Sequence, residues 1–237
     1  DRAWGQVSRS STTGAPQGSG PTVPALIFNN SGLALTEGSV CADGSIDFGC
    51  FESYNFNPLN LFQTPLDRLQ GSAFGRFELT DRHEVYGEAM YTRSIVKTQL
   101  APSGTFFNDY LVPVGNPLIP ELARQQLCAD LGIAPGACVV GNPTEALLTI
   151  GRRFTELGPR LNDFENRTFQ GTLGFRGDLT DSWRYDVYYS FGEADQVQSL
   201  GNWGSNSRVQ QALRSLTPGV CTDASNGCVP LNVFGAE

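Results

Sequence analysis

The stretch QGTLGFRGDLTDSWRYDVYYSF, Gln170 to Phe191, carries the reading of the fold. Together with the residues just before it, one row holds Phe169, Gly171, Leu173, Phe175, Gly177 and Leu179. The other row holds Thr168, Gln170, Thr172, Arg176 and Asp178. After Thr180-Asp181-Ser182 the alternation resumes, with Trp183, Tyr185, Val187, Tyr189 and Phe191 against Arg184, Asp186, Tyr188 and Ser190. Successive side chains of an extended strand point to opposite faces, so a period of two on both sides of a short turn predicts a long half-buried hairpin. The pattern recurs one hundred residues earlier in QGSAFGRFELTDRHEVYGEAMY, Gln70 to Tyr91, around Thr80-Asp81-Arg82. There Leu69, Ala73, Phe77, Leu79, Val85, Ala89 and Tyr91 form the apolar row and Arg76, Glu78, Glu84 and Glu88 the polar one, interrupted by Phe74, Tyr86 and Met90.

Soluble β-sandwiches also alternate, but their strands are usually about five or six residues long. These run longer, which favours a transmembrane barrel with apolar residues toward lipid and charges toward a wet lumen. From Trp183 to Phe191 is roughly 26 Å along a strand, or about 19 Å along the membrane normal at 45° tilt. The expected fold class is therefore all-β: an antiparallel transmembrane β-barrel segment of about four membrane-crossing strands, with long disulfide-containing extracellular loops. Short turns belong on the periplasmic side. That gives an extracellular loop over 1–65, a hairpin over 66–98, a loop over 99–162, a hairpin over 163–198 and a loop over 199–237. Arg76, Glu78, Glu84, Glu88, Arg176, Asp178, Arg184 and Asp186 are expected to line the lumen. Arg176 or Asp178 against Arg184 or Asp186 suit cross-strand pairs.

Composition agrees. There are 27 Gly, 14 Pro, 15 Phe and 7 Tyr, with one His and one Met, a balance suited to strands and turns. A formal charge of −8 and the lack of a basic stripe argue against nucleic acid as partner. Six cysteines fall into close pairs, Cys41 with Cys50, Cys128 with Cys138 and Cys221 with Cys228, one pair in each expected loop. They read as three local disulfides formed in an oxidising compartment, since the spacing is too wide for CxxC metal sites and His83 is the only histidine. Within the middle loop a helix is expected from Pro120 over Glu121 to Leu131, then a strand over Leu147 to Leu157 that extends the hairpin ladder. A second short helix is expected at Arg208 to Ser215.

The segments FNPLNLFQTPLDRLQGSAFGRFELTDRHEVYGEAMYTRS (Phe56 to Ser94), LTIGRRFTELGPRLNDFENRTFQGTLGFRGDL (Leu148 to Leu179) and CVPLNVFG (Cys228 to Gly235) resemble TonB-dependent outer-membrane receptors of the sphingomonad type. The resemblance covers most of the chain from about Phe48; the first forty residues resemble nothing identifiable. It implies a barrel of 22 strands filled by a plug and energised through the TonB complex, importing a siderophore, vitamin or oligosaccharide across the cell outer membrane of a Gram-negative bacterium. Its partners would be outer-membrane lipid, the rest of the same receptor, the TonB complex through the plug, and a small-molecule or glycan ligand. No plug domain or TonB box is recognisable in these residues. Four crossings cannot close a barrel, so an interior portion of a longer polypeptide is expected.

Catalysis has little support: there is no GxSxG, Walker or HExxH motif, and neither a cofactor nor a catalytic or metal site is expected. Asp178, Asp186, Glu84 and Glu88 are more simply lumen charges, and His83 an interfacial residue beside a turn. Ligand contacts, if loops supply them, are expected from Tyr110, Arg152, Arg153, Trp203 and Arg208, although the Gly151-Arg152-Arg153 charges also fit an ordinary solvated loop. The competing readings are a barrel whose loops serve surface binding or adhesion and, last, a hydrolytic outer-membrane enzyme.

Overall fold

The computed structural model describes residues 18–31, 36–61 and 63–235. These are mostly antiparallel β-sheet, and no helix among them is long and apolar enough to cross a membrane. The chain divides into a hairpin unit, 61–99 and 161–201, and a sheet-and-helix unit, 18–60, 100–160 and 202–235.

In the hairpin unit β4 (Leu66–Thr80) and β5 (His83–Leu100) form one hairpin, β8 (Arg160–Thr180) and β9 (Trp183–Gly201) the other. They join as one sheet in the order β4-β5-β8-β9, open at both edges among the described residues. The described residues form no closed barrel. The strands are 15, 18, 21 and 19 residues long, far beyond the usual five or six. Register puts Ala73 opposite Ala89, Phe77 opposite Val85, Leu173 opposite Tyr189 and Phe175 opposite Val187, so the apolar rows share one face within each hairpin. Each ladder slips by one residue at its turn, between Glu78 and Thr80 and between Asp178 and Thr180.

The expected loops do not stay separate. Residues from the first two assemble a five-stranded sheet, β3-β2-β1-β7-β6, from β1 (Leu26–Asn29), β2 (Glu37–Val40), β3 (Ile46–Asp47), β6 (Gly104–Pro113) and β7 (Glu145–Arg153), and the third adds a helix and core side chains to it. The expected strand at Leu147 to Leu157 exists as β7, but it pairs with β1 and β6 instead of extending the hairpin ladder. Its buried row of Ala146, Leu148 and Ile150 explains why. An apolar row of that kind needs a core, which Ile27, Tyr110, Val112, Leu127, Leu213 and Phe234 supply. Helix α1 (Glu121–Asp130) matches its expected position, with Pro120 capping it instead of starting it. Helix α2 (Asn206–Leu213) begins two residues earlier than expected. Each helix buries one stripe, Ala123 and Leu127 from α1 and Val209 and Leu213 from α2.

Both edges of this sheet are capped by glutamines. Gln126 of α1 accepts from the Ile46 N–H at 2.7 Å and donates to the Ile46 carbonyl at 3.0 Å. Gln210 of α2 does the same to Leu111 at 3.0 and 2.8 Å. A side-chain amide standing in for the next strand blunts an edge that would otherwise offer free backbone groups to another chain. All three local disulfides are formed, with Cα–Cα distances of 5.4, 6.0 and 6.1 Å for Cys41–Cys50, Cys128–Cys138 and Cys221–Cys228.

Candidate functional site

The polar face of the hairpin unit carries a chain of contacts between the two hairpins. Arg176, opposite Asp186 in the register, pairs with Glu84 of the other hairpin. Its guanidinium also lies 5.0 Å from the Tyr86 ring, and the Tyr86 hydroxyl donates to Asp186 at 2.8 Å. Arg184 and Asp178 form the expected cross-strand pair at 2.9 Å. Tyr86, which broke the polar row in sequence, has a structural reason to be there. Its ring covers Gly174, where a Cβ would fall 2.2 Å from Tyr86 Cζ, so only glycine admits the ring. Glu78 lies opposite Glu84, Glu88 opposite Phe74 and Arg76 opposite Tyr86, all on this face. No group of three or more metal-ligating side chains occurs among the described residues. His83 sits with the apolar face, its Nδ1 2.8 Å from the Tyr185 hydroxyl and its ring stacked on Phe175 at 6.0 Å.

The apolar face has a sharp limit. Rising from the turns, β4 is apolar or small from Leu79 to Leu69 and then presents Asp67, while β5 runs from Val85 to Tyr91 and then presents Arg93. On β8 the row runs from Leu179 to Phe169 before Arg167; on β9 it runs from Trp183 to Phe191 before Glu193. Immediately beyond that limit Arg93 and Arg167 share the Glu165 carboxylate at 2.8 and 2.7 Å. Leu69, Phe77, Leu173, Leu179, Val187 and Tyr189 below it are exposed. Sequence reasoning found the band but not this charged collar, because Arg93 and Glu165 meet only when the hairpins are laid side by side.

In the sheet-and-helix unit the expected ligand-contacting residues part company. Arg152 and Arg153 are only 3% and 6% exposed, so they are neither solvated loop charges nor available to a ligand. Arg152 clamps both oxygens of Glu156 at 2.8 and 3.1 Å. Arg153 donates to the Pro102 carbonyl and to Ser19 Oγ, and burial, together with the charge of Arg160, holds its pKa below the usual guanidinium value. Tyr110 is also buried, with its hydroxyl 3.2 Å from Asn206 Oδ1; burial raises its pKa to about 12.

Trp203 and Arg208 remain accessible and line one groove of about 450 Å³, floored by Phe154, Leu157, Val209 and Leu231. That volume lies within the usual range for small-molecule sites. Trp203 is 49% exposed and is held from behind. The Arg160 guanidinium lies 5.1 Å from its ring and 5.6 Å from the Phe106 ring; Arg153 follows at 4.8 Å from Phe106 and 5.6 Å from Tyr54. Aromatic rings and guanidinium groups thus alternate along one stack, each contact of the cation–π kind. The flanking backbone is pinned as well. Asn202 adopts a left-handed φ of 61° and donates to the Pro159 carbonyl, while Gly204 lies against Phe154, where a Cβ would be 3.0 Å from the ring. Sequence reading missed Arg160, Phe106 and the groove floor, since the groove joins residues 154–157, 203–212 and 229–231 and no linear spacing marks it. No protein-family model matches the chain, and no curated protein matches it significantly.

Proposed function

We propose that the chain forms part of the wall and outer mouth of a TonB-energised outer-membrane receptor that takes up a scarce nutrient such as a siderophore, vitamin or oligosaccharide. The observation that carries this reading is the exposed apolar band of the hairpin unit and the charged collar that ends it. From Leu179 to Phe169 the band spans roughly 33 Å along the strand, or about 23 Å along a membrane normal at 45° tilt. That is close to the apolar band about 25 Å tall of outer-membrane barrels, and aromatics at Trp183 and Phe191 fall near its two limits. In water such a face would be a large apolar patch of the kind that proteins cover or aggregate through. In lipid it is the expected surface. The open edges of β4 and β9 must then meet other strands, because hydrocarbon leaves no unpaired backbone groups tolerable. The lumen side would carry Glu84, Arg176, Tyr86 and Asp186, and the sheet-and-helix unit with its three disulfides would face the extracellular medium.

Surface binding or adhesion through a similar barrel is the second reading, favoured by the independent core of the sheet-and-helix unit. Two measurements test these readings, the first the barrel that both share and the second transport alone. Heat-dependent mobility of the full polypeptide on a denaturing gel, with protease protection of the hairpins in vesicles, tests the barrel; identical boiled and unboiled mobility together with full digestion would sink it. The complete reading frame tests transport, which requires a plug and a TonB box and fails without them.

A further inference from the structure

We propose that the Trp203 groove is a binding site for a planar aromatic ring carrying an anionic group, such as an aryl carboxylate. This names a ligand class for the mouth, and rests on the reading above in placing the groove where a transported ligand would first arrive.

The shape comes from the floor and wall already described. Phe154, Leu157, Val209 and Leu231 offer an apolar bed, and Trp203 stands beside it with half its surface open. A flat ring is suited to such a wall, because offset stacking on indole adds to the gain from burying apolar area. The wall is also rigid in advance. Trp203 is backed by Arg160 and bracketed by Asn202 and Gly204, so a ligand has little side-chain freedom left to freeze.

The charge preference comes from counting which groups are already engaged. Among the described residues Glu156 is the only acid lining the groove, and both its oxygens are held by Arg152. Arg208 lines the groove, is exposed, and forms no ion pair among the described residues. Arg160, behind Trp203, donates to the Ala101 carbonyl and likewise meets no carboxylate among them. Two cations without an ion pair among the described residues therefore bear on the site, Arg208 lining the groove and Arg160 stacked on the indole, with no unengaged acid among the groove's described lining. An anion is the complementary ligand, and the apolar floor requires that it carry a hydrophobic body. A highly hydrated inorganic anion would lose its water against this floor and gain little.

The test is calorimetric titration of the oxidised full receptor polypeptide that carries this chain, in detergent micelles, with protein-free micelles subtracted. Three probes are compared: 2-naphthoate, the neutral ring 2-naphthalenemethanol, and the non-planar anion cyclohexanecarboxylate. The expected result is that 2-naphthoate binds at least about fivefold tighter than either of the others, the size of one modest charge or stacking contact. Arg208→Gln should bring 2-naphthoate down to the level of the alcohol, and Trp203→Leu should remove its advantage over cyclohexanecarboxylate. Equal binding of the three probes, or unchanged discrimination in Arg208→Gln, overturns the proposal. Arg208 is exposed and forms no ion pair among the described residues, so that variant keeps the fold even where Trp203→Leu disturbs it; unchanged circular dichroism verifies this. Failure here is distinguishable from failure of the barrel reading: the probe series is scored without a membrane, and the mobility and protection assays without a ligand.

Discussion

Leu173→Arg is the most informative single change to the hairpin unit. Leu173 lies midway along the apolar row of β8, opposite Tyr189, and is 64% exposed. If that face meets water, an arginine there replaces one exposed side chain by another and should alter stability by no more than about 0.5 kcal/mol. If the face meets lipid, position 173 sits near the bilayer midplane, where arginine on a barrel exterior costs roughly 2–4 kcal/mol. That is about 30- to 700-fold in the folding equilibrium. Val197 provides the internal control. It is 61% exposed on the same face of the second hairpin but lies beyond the Phe191 limit, level with Glu165. Val197→Arg should therefore cost about 0–1 kcal/mol, the range for positions at or above the interface. The assay is reversible denaturant unfolding of the full receptor polypeptide that carries this chain, reconstituted in phosphatidylcholine vesicles and followed by tryptophan emission. Equal, small effects at the two positions would refute a lipid-facing band, whatever the gel mobility showed.

Three further outcomes are expected. Replacing Cys128 and Cys138 together by serine opens a loop of about ten residues and should cost the sheet-and-helix unit roughly 2–3 kcal/mol in the chain-entropy model; hydrogen exchange should localise the loss there, leaving hairpin protection unchanged. Gln210→Leu frees the N–H and C=O of Leu111 on the edge strand β6, and should lower stability by about 0.5–1.5 kcal/mol and promote self-association, measured by unfolding and light scattering. Burial raises the pKa of Tyr110 to about 12, so the unfolded chain, with an ordinary tyrosine, loses its proton first as pH rises. The stability Tyr110 contributes is therefore fully present below about pH 10 and lost between about pH 10 and 12. Tyr110→Phe should flatten that part of the curve, and an unchanged alkaline slope would count against the burial of the phenol.

The Gln170–Phe191 stretch was readable because strand alternation is a local property: every second residue meets the same environment wherever the strand lies. The same holds for the Thr80 and Thr180 turns, for α1 behind Pro120 and for the short-range disulfides, each formed within a few residues of chain. Arg76, Glu78, Glu84, Glu88, Arg176, Asp178, Arg184 and Asp186 could be put on one face by parity alone. Their partners could not: Arg176 reaches Glu84 across the hairpins although Asp186 stands opposite it in its own ladder. Arg152 and Arg153 looked like loop cations because sequence carries no sign that β7 would be an interior strand of a second sheet. Burial depends on what arrives from residues 26–29 and 104–113, and chain closure over such distances leaves no periodic trace between them. Trp203 and Arg208 were legible only as residue types. Their shared groove, the arginine stack that fixes the indole and the engagement of Glu156 are products of tertiary packing, which alone decides which charges are left free to meet a ligand.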